Sequence, residues 1–238
     1  MNDRRPCIFG EVLFDHFPDG SRVLGGAPFN VAWHLQAFGL APHFISRVGK
    51  DTEGDTIRDA MHAWGMDTNG LQTDPAYPTG RVEVSFVDGE PRYDIVHPCA
   101  YDAIEPRAQA SGCDLLYHGS LGLRDTGSRQ ALEKIKARRP EIVFVDVNLR
   151  PPWWHKQQVL DLLHGADWVK LNTDELAQLH HSGETGPGRA EDFLKEYGIQ
   201  GLLLTHGAQG AELLTATGGH FKVRPGSGVR VADTVGAG

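Results

Sequence analysis

The sequence predicts an α/β protein with a mostly parallel sheet and one antiparallel β excursion. Three observations carry this. Short apolar runs alternate with segments of helical spacing along the chain. Ile142-Val143-Phe144-Val145 is continuously apolar, as in a strand covered on both faces. Residues 81–87 instead alternate at period two, and Asp88-Gly89 then turns the chain into a return strand over Arg92–Val96. The 238 residues, 40% hydrophobic and 23% charged, suit a globular protein with room for a sizeable core.

Formal net charge is -8, with Lys and Arg scattered, which speaks against a nucleic-acid partner. A bound nucleotide needs only a local positive site. Cys7, Cys99 and Cys113 are far apart and form no C-x-x-C, so three reduced, mostly buried thiols are expected. No leader pattern and no membrane-length apolar run occur, and the expected location is the cytoplasm.

The first strand is expected over Cys7–Phe14, interrupted near Gly10-Glu11, with Asp15 at its end. Ligands of open α/β sheets gather at the carboxyl ends of strands. Asp15 therefore reads equally as a hydroxyl ligand or as a solvated turn acid. Gly25-Gly26 opens a helix in which Val31, Leu35 and Phe38 share a face and Gly39 is the stop. Asn30 offers donors and an acceptor to a polyol, or serves as a local cap. A strand over 43–48, a polar turn over 49–54 and a helix from Asp55 to about Trp64 follow. The hairpin after Thr79 reads as a lid or as a plain edge hairpin.

A short helix is expected around 105–110, a strand over 114–119 and a helix from 126 to 138. The strand from Ile142 is expected to run to Arg150, with Asp146, Asn148 and Arg150 on one face. Arg150 could meet phosphate or carboxylate, or pair with Asp146. A helix over 155–164 leads to strand 168–172, where Lys170, Asn172 and Glu175 stand at a strand end and helix start. Oxygen ligands there could hold Mg²⁺ through water, but a capping motif with a solvated acid is the better local reading. Strand 201–205 is followed by a Gly207–Gly210 turn that could line a phosphate or ribose pocket. A strand over 211–215 then pairs back, and 221–223 and 229–231 are short strand candidates. The final Asp233-Thr234-Val235-Gly236-Ala237-Gly238 alone reads best as a Gly-rich turn, with a minority claim to anion binding.

Taken in order, these segments resemble the PfkB-type, ribokinase-like family of sugar kinases, in its fructokinase branch, over the whole chain. The carrying stretches are GGAPFNVAWHLQAFG at 25–39, SRVGKDTEGD at 46–55, DVNLR at 146–150, KLNTDE at 170–175, THGAQG at 205–210 and DTVGAG at 233–238. The resemblance implies a three-layer α/β/α sandwich over 1–238, incomplete at its C-terminus. A small β lid from about 79–97 and part of 12–24 is inserted in it. It implies that Asp15, Gly25, Gly26, Asn30, Tyr93 and His97 bind or cover a sugar. It implies Asn172 and Glu175 at Mg²⁺, and Lys170, Asn172, Thr205, Gly207, Gly210 and Asp233 at the nucleotide. Gly236, Ala237 and Gly238 would form the anion hole, with Arg150 facing sugar or phosphate.

The implied reaction is ATP-dependent, in-line phosphoryl transfer to a sugar hydroxyl, fructose first and 2-keto-3-deoxygluconate second. A monovalent cation and pairing of two copies through the lid stay open. In the family an Asp directly follows the GAG as base, and this sequence has no residue after Gly238. Two readings follow: a piece of a longer active kinase, or a non-catalytic sugar-binding protein on the same scaffold. A dinucleotide oxidoreductase is disfavoured because no G-x-G-x-x-G follows the first strand.

Overall fold

The computed structural model describes residues 5–87, 90–106, 113–180 and 187–226. The chain divides into two compact units, Met1–Glu141 and Ile142–Gly238.

The first unit contains β1 (Arg5–Phe9), β2 (Leu13–His16), β3 (Arg22–Gly25), α1 (Ala27–Ala37), β4 (His43–Gly49), α2 (Thr52–Ala63), β5 (Leu71–Asp74), β6 (Gly80–Val87), β7 (Glu90–Ile95), β8 (Cys113–His118) and α3 (Thr126–Lys136). Strands β8, β1, β4 and β5 lie side by side in that order, all parallel. A second, smaller sheet has the order β3-β2-β6-β7. The expected single first strand is thus two strands in two sheets. Gly10, at φ 148, makes the break, and a side chain there would run into Pro28.

Other expectations shift for local reasons. Helix α2 starts at Thr52 rather than Asp55, because Asp51 accepts from the Gly54 N–H and caps it. Strand β5 was not expected. Its Gln72 and Asp74 are buried, and they are satisfied by Glu105 backbone groups and by Arg47 respectively. Residues 104–106 are not helical, and the rest of the helix expected to 110 lies outside the described residues. The hairpin strands are present as β6 and β7. Burial alternates along β6, while β7 is exposed at all but its last residue. Cys7 on β1 and Cys113 on the neighbouring β8 bring their sulfurs into contact, a pairing that the sequence separation did not suggest, and Cys99 is free and buried.

The second unit contains β9 (Ile142–Asp146), α4 (Lys156–Leu163), β10 (Trp168–Asn172), α5 (Thr173–Leu179), α6 (Pro187–Tyr197), β11 (Gly201–Thr205), β12 (Ala211–Thr215) and β13 (His220–Val223). Strands β9, β10 and β11 are parallel, and β12 and β13 continue antiparallel. Val145, Leu171 and Leu202 from the strands pack with Leu163, Phe193 and Leu176 from the helices. Fully burying each such side chain contributes about 1.5–3 kcal/mol. Strand β9 stops at Asp146 rather than Arg150. Asn148 has φ 44, which ends the pleat and the expected one-face alignment of Asp146, Asn148 and Arg150. The segment 229–231 lies outside the described residues.

Candidate active site

In the first unit, Asp15, Gly25, Gly26 and Asn30 come together where β2, β3 and α1 meet. Asp15 sits within β2, not at a strand end, and pairs across with Val23 of β3. It is buried, and its Oδ2 lies 3.3 Å from the position a Gly25 side chain would take. Gly26 precedes α1 at φ 108, and a Cβ there would lie 2.7 Å from the Glu11 carbonyl oxygen, so only glycine fits. The Gly26 carbonyl accepts the Asn30 N–H at 2.9 Å, so Asn30 is inside the helix and not its cap. The arrangement places the Asp15 carboxylate beside a tightly turned backbone, with Asn30 in the first turn of the helix that follows, residue types suited to hydroxyls.

Tyr93 and His97 stand on and just after β7, a strand of the same small sheet as Asp15. Tyr93 is on β7, opposite Val84 of β6, and is 51% exposed. His97 follows the hairpin, and its Nε2 lies 3.0 Å from Asp125 Oδ2. Just beside it, Arg124 grips buried Asp102 and donates to the Val96 carbonyl where the hairpin leaves its sheet. Burial works against the Arg124 charge, but Asp102 more than offsets it and holds the guanidinium pKa above its ordinary value. Nothing in the local sequence marked this pair, because its members are separated by two turns of 3₁₀ helix and strand β8.

In the second unit the carboxyl ends of β9, β10 and β11 carry the rest. Lys170 stands beside Asp146 in the β10–β9 register, and its Nζ donates to both Asp146 oxygens at 3.0 and 3.2 Å. Asp146 therefore takes Lys170 as partner, and Arg150 is exposed in the loop beyond. Asn172 and Glu175 form a reciprocal capping box at the start of α5, as the local reading had it. Glu175 is not the solvated acid of that reading. It is buried, its Oε2 accepts from the Asn172 N–H at 2.8 Å, and its Oε1 accepts from the Leu149 N–H at 2.7 Å.

Both Glu175 oxygens are thus committed to backbone donors, which suits a water-mediated approach to a divalent cation better than direct ligation. Thr205 ends β11 directly beside Asn172. Gly207 turns at φ 56 with open space at its Cβ position, so a ligand can approach the backbone there. Gly210 turns at φ 106 under the Val223 carbonyl. Behind this turn, Glu212 gathers His206, His220 and Lys222. Asp233, Gly236, Ala237 and Gly238 lie outside the described residues.

The pfkB family carbohydrate kinase profile matches residues 7–238. The chain belongs to the pfkB family of carbohydrate kinases. It is 34% identical to a fructokinase of Klebsiella pneumoniae, over 97% of this chain and 80% of that one. It is 32% identical to an aminoimidazole riboside kinase of Salmonella typhimurium, over 97% and 76%. Among solved structures, a fructokinase from Vibrio cholerae O395 in its fructose, ADP and calcium ion bound form superposes with a TM-score of 0.80 at 25% identity, covering 100% of this chain and 81% of that one. For this pfkB chain the expected α/β, ribokinase-like fold class holds, and no described helix is long and apolar enough to cross a membrane.

Proposed function

We propose that this carbohydrate kinase transfers the γ-phosphoryl group of ATP to a hydroxyl of fructose. The observation that carries the reading is the joining of Asp15, Gly25, Gly26 and Asn30 where β2, β3 and α1 meet. The relatives named fructokinase, and the fructose and ADP bound to one of them, support the substrate pair.

Asp15 and Asn30 hold and orient the sugar hydroxyls. Lys170, steadied by Asp146, presents its ammonium to phosphate oxygens. Thr205, Gly207 and Gly210 offer hydroxyl and backbone contacts to the nucleotide. Asn172 and Glu175 would hold Mg²⁺, which would supply charge neutralisation at the phosphates. Phosphoryl transfer relies on such positioning and charge stabilisation rather than covalent chemistry at the protein. The small sheet, with Tyr93 on its exposed β7 edge and His97 beyond, covers the sugar, and that edge is where a second copy would pair.

A second reading, phosphorylation of aminoimidazole riboside, is favoured by the relative of that name. The test is phosphorylation of a panel containing fructose, aminoimidazole riboside and 2-keto-3-deoxygluconate by protein expressed from its whole coding sequence. Fructose should give the highest kcat/KM, and Asp15→Ala should raise its KM about 10- to 100-fold. No turnover of any of the three would sink the kinase reading. Preference for the keto acid, lost in Arg150→Ala, would make Arg150 a carboxylate ligand and fructose the wrong substrate.

A further inference from the structure

The stretch Ser46–Asp55 has no part in the binding roles above, yet it fastens the small sheet. Asp51 caps α2 by accepting from the Gly54 N–H at 2.8 Å. The same carboxylate reaches the residue that leads into β6. Its Oδ2 accepts from the Thr79 N–H at 2.8 Å, and its Oδ1 accepts from the Thr79 hydroxyl at 2.6 Å. Thr79 Oγ1 in turn accepts from the Gly49 N–H at 3.0 Å. Thr79 is buried, and a side chain at Gly49 would stand 2.6 Å from the Thr79 nitrogen and strike the Asp51 carboxylate. Gly49 is therefore the only residue that allows this approach.

Two residues on, Glu53 Oε1 meets His16 Nε2 of β2 at 2.8 Å and Arg22 Nη1 of β3 at 3.0 Å. The first turn of α2 thus holds three of the four strands of the small sheet. The two fastenings differ in kind. The Asp51 bonds are short and partly buried. The Arg22 side chain is 57% exposed, so its pair with Glu53 is weak and screened by salt.

We propose that the first turn of α2 is the seat of the small sheet. Asp51 is a positioning residue that pins the base of β6, and Glu53 is a second, releasable clasp on β2 and β3. The seat sets the pose of β2, and with it Asp15, for sugar binding. This last step rests on the sugar-kinase reading. Burial alone would push the Asp51 carboxyl up, but the bonds from Thr79 and Gly54 outweigh it and hold it below the ordinary value, as a fixed pin requires.

The decisive variant is Asp51→Asn. Asparagine caps a helix as well as aspartate does, but its amide N–H₂ faces the Thr79 N–H, so the Oδ2 half of the pin is lost and turned repulsive, while the cap and the Oδ1 bond from the Thr79 hydroxyl are kept. In the ligand-free protein, amides of β6 and β7 should exchange hydrogen about tenfold faster or more, with those of α2 unchanged. The KM for fructose should rise about tenfold while that for ATP moves less than about twofold. Thr79→Val should match it, and Thr79→Ser, which keeps the hydroxyl, should restore wild-type values. Wild-type exchange in β6 and β7 of Asp51→Asn would overturn the proposal, as would equal rises in both KM values. If wild-type protein phosphorylates no sugar, the kinase reading fails, and the exchange measurement still decides whether Asp51 pins the sheet.

Discussion

Arg124 grips Asp102 with two parallel hydrogen bonds, Nε to Oδ1 at 2.6 Å and Nη2 to Oδ2 at 2.8 Å, and both side chains are almost wholly removed from water. The same Nη2 also holds the Val96 carbonyl, so the exit of β7 is tied to a buried charge pair. Removing one member strands the other. Asp102→Ala should cost about 3–5 kcal/mol in urea unfolding. Replacing both with apolar residues should cost clearly less than Asp102→Ala alone. A loss below about 1 kcal/mol for Asp102→Ala would show that the pair anchors nothing.

Glu175 is expected to act first on the backbone. In Glu175→Gln one carboxylate oxygen becomes an N–H₂ group facing either the Leu149 or the Asn172 N–H. The variant should lose about 1–3 kcal/mol of stability, and amides after Asp146 should exchange faster. Unchanged protection at Leu149 would contradict the bond seen there.

His118 should make the fold acid-sensitive. Its Nδ1 lies 3.0 Å from the Gly119 carbonyl and must carry the proton, leaving Nε2 bare, buried and without a partner. Burial pushes the imidazole down from 6.5 to about 3. Between those values the unfolded chain binds the proton and the folded one does not, so stability falls as pH falls from 6.5. The loss should reach about 1–2 kcal/mol by about pH 5. His118→Asn, which can still donate to Gly119, should flatten that slope in urea unfolding at the two pH values. An equal slope in the variant would assign the acid sensitivity to other groups.

Lys170 and Asp146 should couple. Lys170→Met and Asp146→Asn, made singly and together, should show an interaction of about 0.5–3 kcal/mol in a double-mutant cycle of stability. Additive costs would mean that the ion pair at the carboxyl ends of β9 and β10 contributes little.

The sequence carries the segments whose signal is local. The apolar runs of β4, β10 and β11, the period-two pattern of β6 and the NTDE capping box are all found where expected. What escapes is what depends on distant partners. Strand β5 has a single apolar residue, Leu71, and is buried only because Arg47 and Glu105 satisfy Asp74 and Gln72. The polar turn over 49–54 gives no hint that Asp51 reaches Thr79. Asp146, Asn148 and Arg150 share a spacing that suits a strand, and only the left-handed Asn148 breaks it. In the candidate site, Asp15, Gly26 and Asn30 were legible as polar or small residues near turns. The grip of Glu175 on Leu149 was not, since it links the first turn of α5 to the segment after β9.

The parallel pairing of β2 with β6 has a consequence for how the chain reaches this state. Leu13 meets Gly80 only after the whole of α1, β4, α2 and β5 has been spanned. Loop-closure entropy must be offset before such a contact is rewarded. The small sheet should therefore condense late, on a β1–β4 platform already formed. Mutations in β6 would then speed unfolding while leaving the refolding rate almost untouched.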